Sequence, residues 1–406
     1  MLRVLIPTHL HDLHAVGIAH ALRLKGHDAT LWYGADFPTR QSASLEIPPT
    51  GGFRWEVKGP DLSLANDRFD VVWYRRPTPA ALPGDMHAGD RTFAERECRT
   101  FTKALWQMLA PDAFWVNPVG SRELALSKPF QLVRATQAGL KTPPTLCSND
   151  PEKIRAFLAK YDGNVIYKAF WPVQWEKGEE GIALLFTSEV TAEELPEDDV
   201  LRLTPGIFQP KVEKDHELRV TYIGDHRFTA KLLSQNSAIS KLDWRAAFFD
   251  IQVEQADLPD EIDRACRGLM ESLGIIFGCF DFIVSPEGEH LFLEVNEMGQ
   301  FLWIEELNPD LMLFDAFTEL LIQGTPRFSW KPSPSGLHWL DFRDELARRH
   351  DAADVPRHVL QPNSFSLLDE DGEESTTSMG GGRSGSLPPL SDASRGVLDM
   401  EKEAPS

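Results

Sequence analysis

At 406 residues the chain is longer than one typical domain and has room for two or three. A formal net charge of −21 leaves no long basic stripe to neutralise phosphates, so nucleic-acid binding is excluded as its business. Four cysteines without C-x-x-C spacing exclude a disulfide framework and fit a reducing cytoplasm, while no window approaches the roughly 20 apolar residues of a membrane span.

The N-terminus, "MLRVLIPTHLHDLHAVG", breaks at Pro7 and reads as a first strand (Leu2 to Pro7), not a targeting segment. A helical pattern follows from about Asp12 to Lys25 and stops at Gly26. "DATLWYG" and "FDVVWYRRP" are two further strands, so strand–helix–strand alternation predicts a small parallel α/β layer. No G-x-G-x-x-G follows the first strand, so a dinucleotide site is not indicated. A helix from about Ala94 to Leu109 and the strand "FWVNP" complete this first unit.

Ser127 to Ala138 reads as a helix, and "NDPEKIRAFLAKY" as another, with Asp150 as N-cap and Pro151 at its first position. Strand-like runs come next: "NVIYKAF", "IALLFTS", "GIFQPKV", "ELRVTYIG" and "RFTAKLLSQ". Asp260 to Leu273 is amphipathic, "IFGCFDFIVSPEGEHLFLEVN" is a hairpin, and a helix spans about Leu311 to Gln323. Strands between separate helices predict α+β units with antiparallel sheets. "HWLDFRDELARRH" is a helical segment suited to docking on the body. Residues 361–406 hold nine acidic and three basic side chains among Ser, Gly and Pro, a composition that predicts a disordered acidic tail.

The hairpin carries the chemistry. Glu294 and Asn296 are two apart, so on a strand they share a face; the alternative is that they lie past the strand, in solvent. A loop with an even number of residues at the turn near Gly288 sets Asp281 opposite Glu294; an odd loop sets Leu293 there. In the even register Asp281, Glu294 and Asn296 converge, and oxygen ligands without His or Cys suit Mg²⁺ beside substrate phosphates. Lys128 and Lys168 are candidates for those phosphates, although a lysine at a strand end is commonly just solvated. On the strand after Gln209, Glu217 and Arg219 share a face, suited to ribose hydroxyls and to a phosphate. His9, His11 and His14 lack the companions of a metal site. Tyr74 to Pro77 is a candidate contact for an acidic ligand, and Trp303 is expected to pack under the metal strand.

In order, "VVWYRRP", "WVNP", "SKPFQLVRATQAGLKTPPTLCSNDP", "VIYK", "FQPKVEKDHELRVTYIG", "SQNSAISKLDWR" and "FLEVNEMGQFLWIE" resemble the ATP-grasp superfamily. More narrowly, they are similar to the ATP-grasp maturases of ribosomal peptides, the microviridin or graspetide ligases, which carry N-x-x-G-Q-x-x-W after the metal strand. The resemblance covers roughly residues 1–325. It implies an α/β and α+β architecture: a pre-ATP-grasp domain (1–118), a central domain (119–210), a C-terminal domain with the metal site (211–328), a partly helical extension (329–360) and the acidic tail (361–406).

The resemblance also implies a reaction. ATP phosphorylates a side-chain carboxylate of a precursor peptide, and a Ser or Thr hydroxyl or Lys amine of the same peptide displaces phosphate to close a ring. Residue by residue it assigns Asp281, Glu294 and Asn296 to Mg²⁺, Lys128 and Lys168 to the phosphates, and Gln209, Pro210, Lys211 and Val212 to the adenine hinge. Glu217 becomes the ribose acid, and Arg219 and Arg245 face the acyl phosphate. The implied partner is a precursor peptide with a leader and a core of Thr, Ser or Lys and Asp or Glu; a homodimer is left open, and neither nucleic acid nor membrane is expected. Two departures stand out: Pro210 replaces a common acidic residue, and Glu297-Met298 replaces the usual Pro-Asn before Gly299. The competing readings are an ATP-grasp ligase that joins a small carboxylate to an amine or adds amino acids to a protein, and a nucleotide-binding module without catalysis.

Overall fold

The computed structural model describes residues 1–170, 174–176, 182–184, 187–236, 242, 244 and 251–360. The N-terminal sheet is parallel, in the order Asp28–Tyr33, Arg3–Thr8, Val71–Trp73, Phe114–Val116. Its continuous apolar runs are buried on both faces, as a covered parallel sheet requires. The helix Leu13–Leu24 starts where Asp12 accepts a hydrogen bond from the Ala15 amide, and it buries Ile18, Ala19 and Leu22.

Two features of this region were not anticipated. A three-stranded antiparallel sheet, Ser42–Glu46, Arg54–Lys58 and Ser63–Ala65, follows the second strand. The helix expected from Ala94 begins at Ala88, because only Leu105 and Trp106 along it are buried and its first turns carry no apolar stripe.

Next comes a four-stranded antiparallel sheet, ordered Ser188–Val190, Val165–Lys168, Gly206–Pro210, Leu146–Ser148. The helix Pro151–Lys160 packs on it and is capped by Asp150, whose side chain accepts from the Glu152 and Lys153 amides. The largest sheet is five-stranded and antiparallel: Val253–Gln255, His226–Leu232, His216–Ile223, Phe277–Val284, His290–Asn296.

Side chains alternate across this large sheet. Leu218, Val220, Phe280, Phe282 and Phe292 pack against the helices Lys128–Ala138 and Asp260–Leu273. Each fully buried phenylalanine contributes about 2 kcal/mol. Glu217, Arg219 and Asp281 are left on the opposite face.

Another core joins this sheet to the N-terminal unit through Trp73, Phe277, Phe301 and Phe317. The C-terminal extension docks on it as expected. The Trp339 ring lies so close to Gly17 that a Cβ there would sit 2.4 Å from the indole, and His350 Nε2 meets the Leu10 carbonyl at 2.5 Å. Among the described residues no helix is long and apolar enough to cross a membrane. The expectation for the tail falls outside the described residues.

Candidate active site

Asp281 and Glu294 are paired across the hairpin, but not by the route expected. Val284 pairs with His290, so the loop has five residues, an odd number that would bring Leu293 opposite Asp281. Instead Phe282 pairs with Phe292 and the register shifts before Asp281, so Leu293 is the extra residue of a β-bulge. The bulge restores the carboxylate pair that the loop length alone would have separated.

Asp281 is nearly buried. Arg219, its direct partner on the neighbouring strand, donates from Nη1 to both carboxylate oxygens at 2.7 Å. Asn296 Nδ2 donates to Asp281 Oδ2 at 3.0 Å. Glu294 meets Lys128 Nζ at 3.5 Å, from the first turn of the Lys128–Ala138 helix. The cleft between the two antiparallel sheets is lined by Lys128, Lys168, Gln209, Glu217, Asp281 and Glu294, with Ile166, Ile207 and Leu218 as its apolar wall. Six of the sequence-predicted site residues therefore face one cavity. Arg219 and Asn296 lie behind it, oriented on Asp281, and Arg245 falls outside the described residues.

The hinge residues divide. Gln209 is buried, its Nε2 donating to Thr145 Oγ1 at 2.9 Å, while its Oε1 makes no hydrogen bond among the described residues. That orphaned acceptor suits an amino group entering the cleft. Pro210 pairs with Val165, and the Lys211 ammonium turns to Glu189, away from the cavity. Val212 does not line the cleft. Glu217 Oε1 is held by Lys214 Nζ at 2.5 Å, and the same ammonium donates to the Leu242 carbonyl at 3.0 Å. Sequence reasoning passed over Lys214, although its spacing of three from Glu217 was visible.

The donor set fits Mg²⁺. Asp281 and Glu294 supply hard carboxylate oxygens and Asn296 an amide, next to two lysines; a divalent magnesium is commonly held by one or two carboxylates plus phosphate oxygens. Among the described residues there is no group of three His, Cys, Asp or Glu of the kind a softer metal takes.

Residues from the N-terminal half lock the hairpin and its exit, and none of them was anticipated in that role. Gln131 donates to the Val295 carbonyl and accepts from the Val295 amide, at 2.9 and 2.8 Å, completing the ladder of an edge strand. Asn117 bridges both strands, donating to the carbonyls of Phe277 (2.8 Å) and Glu297 (2.7 Å) and accepting from the Ile276 and Phe277 amides. Arg75, fully buried and paired with Asp12 at 2.9 Å, donates to the carbonyls of Met298 and Gly299. Gly299 itself admits no side chain, since a Cβ would lie 2.7 Å from Cys279 Sγ and 3.1 Å from Arg219 Nη2. Trp303 is buried and stacked on Trp244 at 4.7 Å.

Comparison with known proteins agrees with this fold. The MvdD pre-ATP grasp domain family matches residues 3–123. The macrocyclase MdnC of Microcystis aeruginosa MRC, solved with its precursor peptide MdnA, is 28% identical with a TM-score of 0.69, covering 79% of this chain and 100% of its own. MdnB of the same organism is 29% identical with a TM-score of 0.67, covering 79% and 99%. A RiPP-associated ATP-grasp ligase of Chryseobacterium gregarium, in complex with ADP and a leader and core peptide, is 26% identical with a TM-score of 0.71, covering 82% and 100%. No curated protein sequence gives a significant match. With this cleft, the chain has the fold of the ATP-grasp ligases, carries an MvdD-type pre-ATP-grasp domain at residues 3–123, and is similar over about four fifths of its length to ATP-grasp ligases of the graspetide-maturase type.

Proposed function

We propose that the chain uses ATP and Mg²⁺ to activate side-chain carboxylates of a ribosomal precursor peptide as acyl phosphates and to close ester or amide crosslinks within that peptide. The observation that carries this reading is the bulged pair Asp281–Glu294, sharing with Lys128 and Lys168 a cleft that also holds the orphaned Gln209 acceptor. Likeness to ligases solved with peptides supports a peptide over a small molecule as substrate.

In this reading Lys128 and Lys168 bind the triphosphate, Gln209 faces the adenine amino group, and Glu217 receives the ribose. Asp281, Glu294 and Asn296 would hold Mg²⁺, which supplies charge neutralisation at the transferring phosphoryl group. Arg219 orients Asp281 and, with Arg245, stands ready for the acyl phosphate. The peptide carboxylate oxygen takes the γ-phosphoryl and ADP leaves. A hydroxyl or amine then attacks the carbonyl carbon, losing its proton as phosphate departs. Borders at 118, 210 and 328 would put the cleft between the central and C-terminal domains, and the reaction belongs in the cytoplasm. Incubation with ATP, Mg²⁺ and a Thr-, Glu- and Asp-rich precursor peptide with leader and core tests the reading. The expected product is the peptide lighter by one or more waters; an unchanged mass sinks it.

A further inference from the structure

The two adjacent arginines of "VVWYRRP" have opposite surroundings. Arg75 is saturated: it pairs with Asp12 and donates to two carbonyls. Arg76, half-buried, uses its backbone amide on the Pro7 carbonyl at 3.2 Å. Its guanidinium makes no hydrogen bond or ion pair with any described residue. The charges acting on it most strongly are Arg75, Asp12, Glu297 and Arg122. Asp12 is already taken by Arg75, and Glu297 Oε1 by Arg122 Nε at 3.5 Å, an ion pair without hydrogen-bond geometry. Three guanidinium groups therefore face two carboxylates, and one positive charge is left over.

Neighbouring histidines do not offset it. Burial pushes His9 down to about 4, with Arg76 and Arg75 adding to the effect against Asp12; burial and Arg75 push His14 to about 3. Both rings are neutral at pH 7. Their buried Nδ1 atoms, like Glu297 Oε1, make no hydrogen bond among the described residues. A surplus cation thus sits among orphaned polar atoms, a combination that is costly without a ligand. It lies beside the Glu297–Gly299 turn, whose other side touches Arg219, yet it does not line the nucleotide cleft.

We propose that Arg76 binds a carboxylate side chain of the acidic peptide substrate, with His9 and Glu297 as polar neighbours of that site, and so selects which Asp or Glu is presented to Arg219. This rests on the peptide-ligase reading above. Position favours a peptide carboxylate over an ATP phosphate, because the cations of the nucleotide cleft are Lys128 and Lys168.

The test uses the full-length chain and a Thr-, Glu- and Asp-rich precursor peptide with leader and core, with each Asp or Glu of the peptide changed in turn to its amide. Peptide binding is measured by calorimetry, and turnover by mass spectrometry. Arg76→Ala is expected to raise the peptide Kd and KM by about tenfold to a hundredfold, with the KM for ATP and the Tm unchanged. Arg76→Lys should recover part of the loss, since it keeps charge but not the planar fork. One amide substitution in the peptide should cost nothing further in the Arg76→Ala background.

Equal peptide affinity and turnover in wild type and Arg76→Ala overturn the inference while leaving the ligase reading intact. A fall in Tm for both Arg76→Ala and Arg76→Gln overturns it in favour of a structural arginine. A wild-type chain that neither binds nor converts the peptide removes the ligase reading itself, and this inference with it.

Discussion

The hairpin Phe277–Asn296 is gripped by charge on two sides, and the two sides treat charge differently. On the N-terminal side Arg75 and Asp12 are almost wholly enclosed, and the carbonyls that the Arg75 guanidinium reaches belong to the turn after the strand. On the cleft side Lys128 and Glu294 stay partly exposed, 28% and 17% for their side chains, and stand 3.5 Å apart. A closed pair fixes geometry because neither partner can leave it cheaply, whereas a loose and hydrated pair is free to exchange partners. The clamp aims the strand, and the cleft keeps its charges available for phosphates.

Breaking the clamp should produce the largest effect. Arg75→Ala strands Asp12 in the core and frees the turn, and should cost about 3–5 kcal/mol of stability. Chemical denaturation will show the loss, and an unaltered midpoint would mean that the clamp is not what aims the strand. Glu294→Gln attacks the other side. Its Tm should hold while Mg²⁺-dependent ATP turnover falls by about two orders of magnitude. Retained turnover would remove the metal assignment. Lys168→Ala is smaller again, with ATP affinity falling about tenfold by equilibrium titration and the melting transition unchanged. A lost cooperative melt with normal affinity would recast Lys168 as structural.

The smallest effect concerns pH. Glu305 accepts hydrogen bonds from the Phe314 and Trp339 amides at 2.7 and 2.8 Å, yet burial raises its pKa from 4.5 to about 7. Below pH 4.5 the acid is protonated whether folded or unfolded, so the stability of the neutral buried form is fully present. As pH rises the unfolded chain gives up its proton first, and that stability is lost through about pH 7. Glu305→Gln has no proton to lose, so the Tm difference between wild type and variant should drift by roughly a few degrees from pH 4.5 to 7.5. A constant difference would mean that Glu305 is ionised throughout.

How much of this was legible in the sequence follows the same division. Glu294 and Asn296 at the end of an apolar strand, Asp281 on its partner, and the two lysines announced themselves through residue type in the wrong surroundings. Asp150 before Pro151 marked a helix start that the fold realises at that residue. The clamp was not legible, because Arg75 and Gly299 are 224 residues apart and nothing local ties them. The bulge at Leu293 was invisible for another reason: turn composition does not fix loop parity, and one extra residue reverses which side chain meets Asp281. The antiparallel sheet of Ser42–Ala65 escaped because its strands are short and only Trp55, Val57 and Leu64 along them are buried.

What becomes of ATP decides most directly whether this cleft activates a carboxylate. With a Thr-, Glu- and Asp-rich precursor peptide, ATP and Mg²⁺, product nucleotide and peptide mass can be followed in one reaction. The prediction is one ADP and one phosphate per water lost, with hydroxylamine diverting Asp or Glu side chains of the peptide to hydroxamates. Formation of AMP in place of ADP, or water loss without nucleotide consumption, would contradict carboxylate activation by phosphoryl transfer in the Asp281–Glu294 cleft.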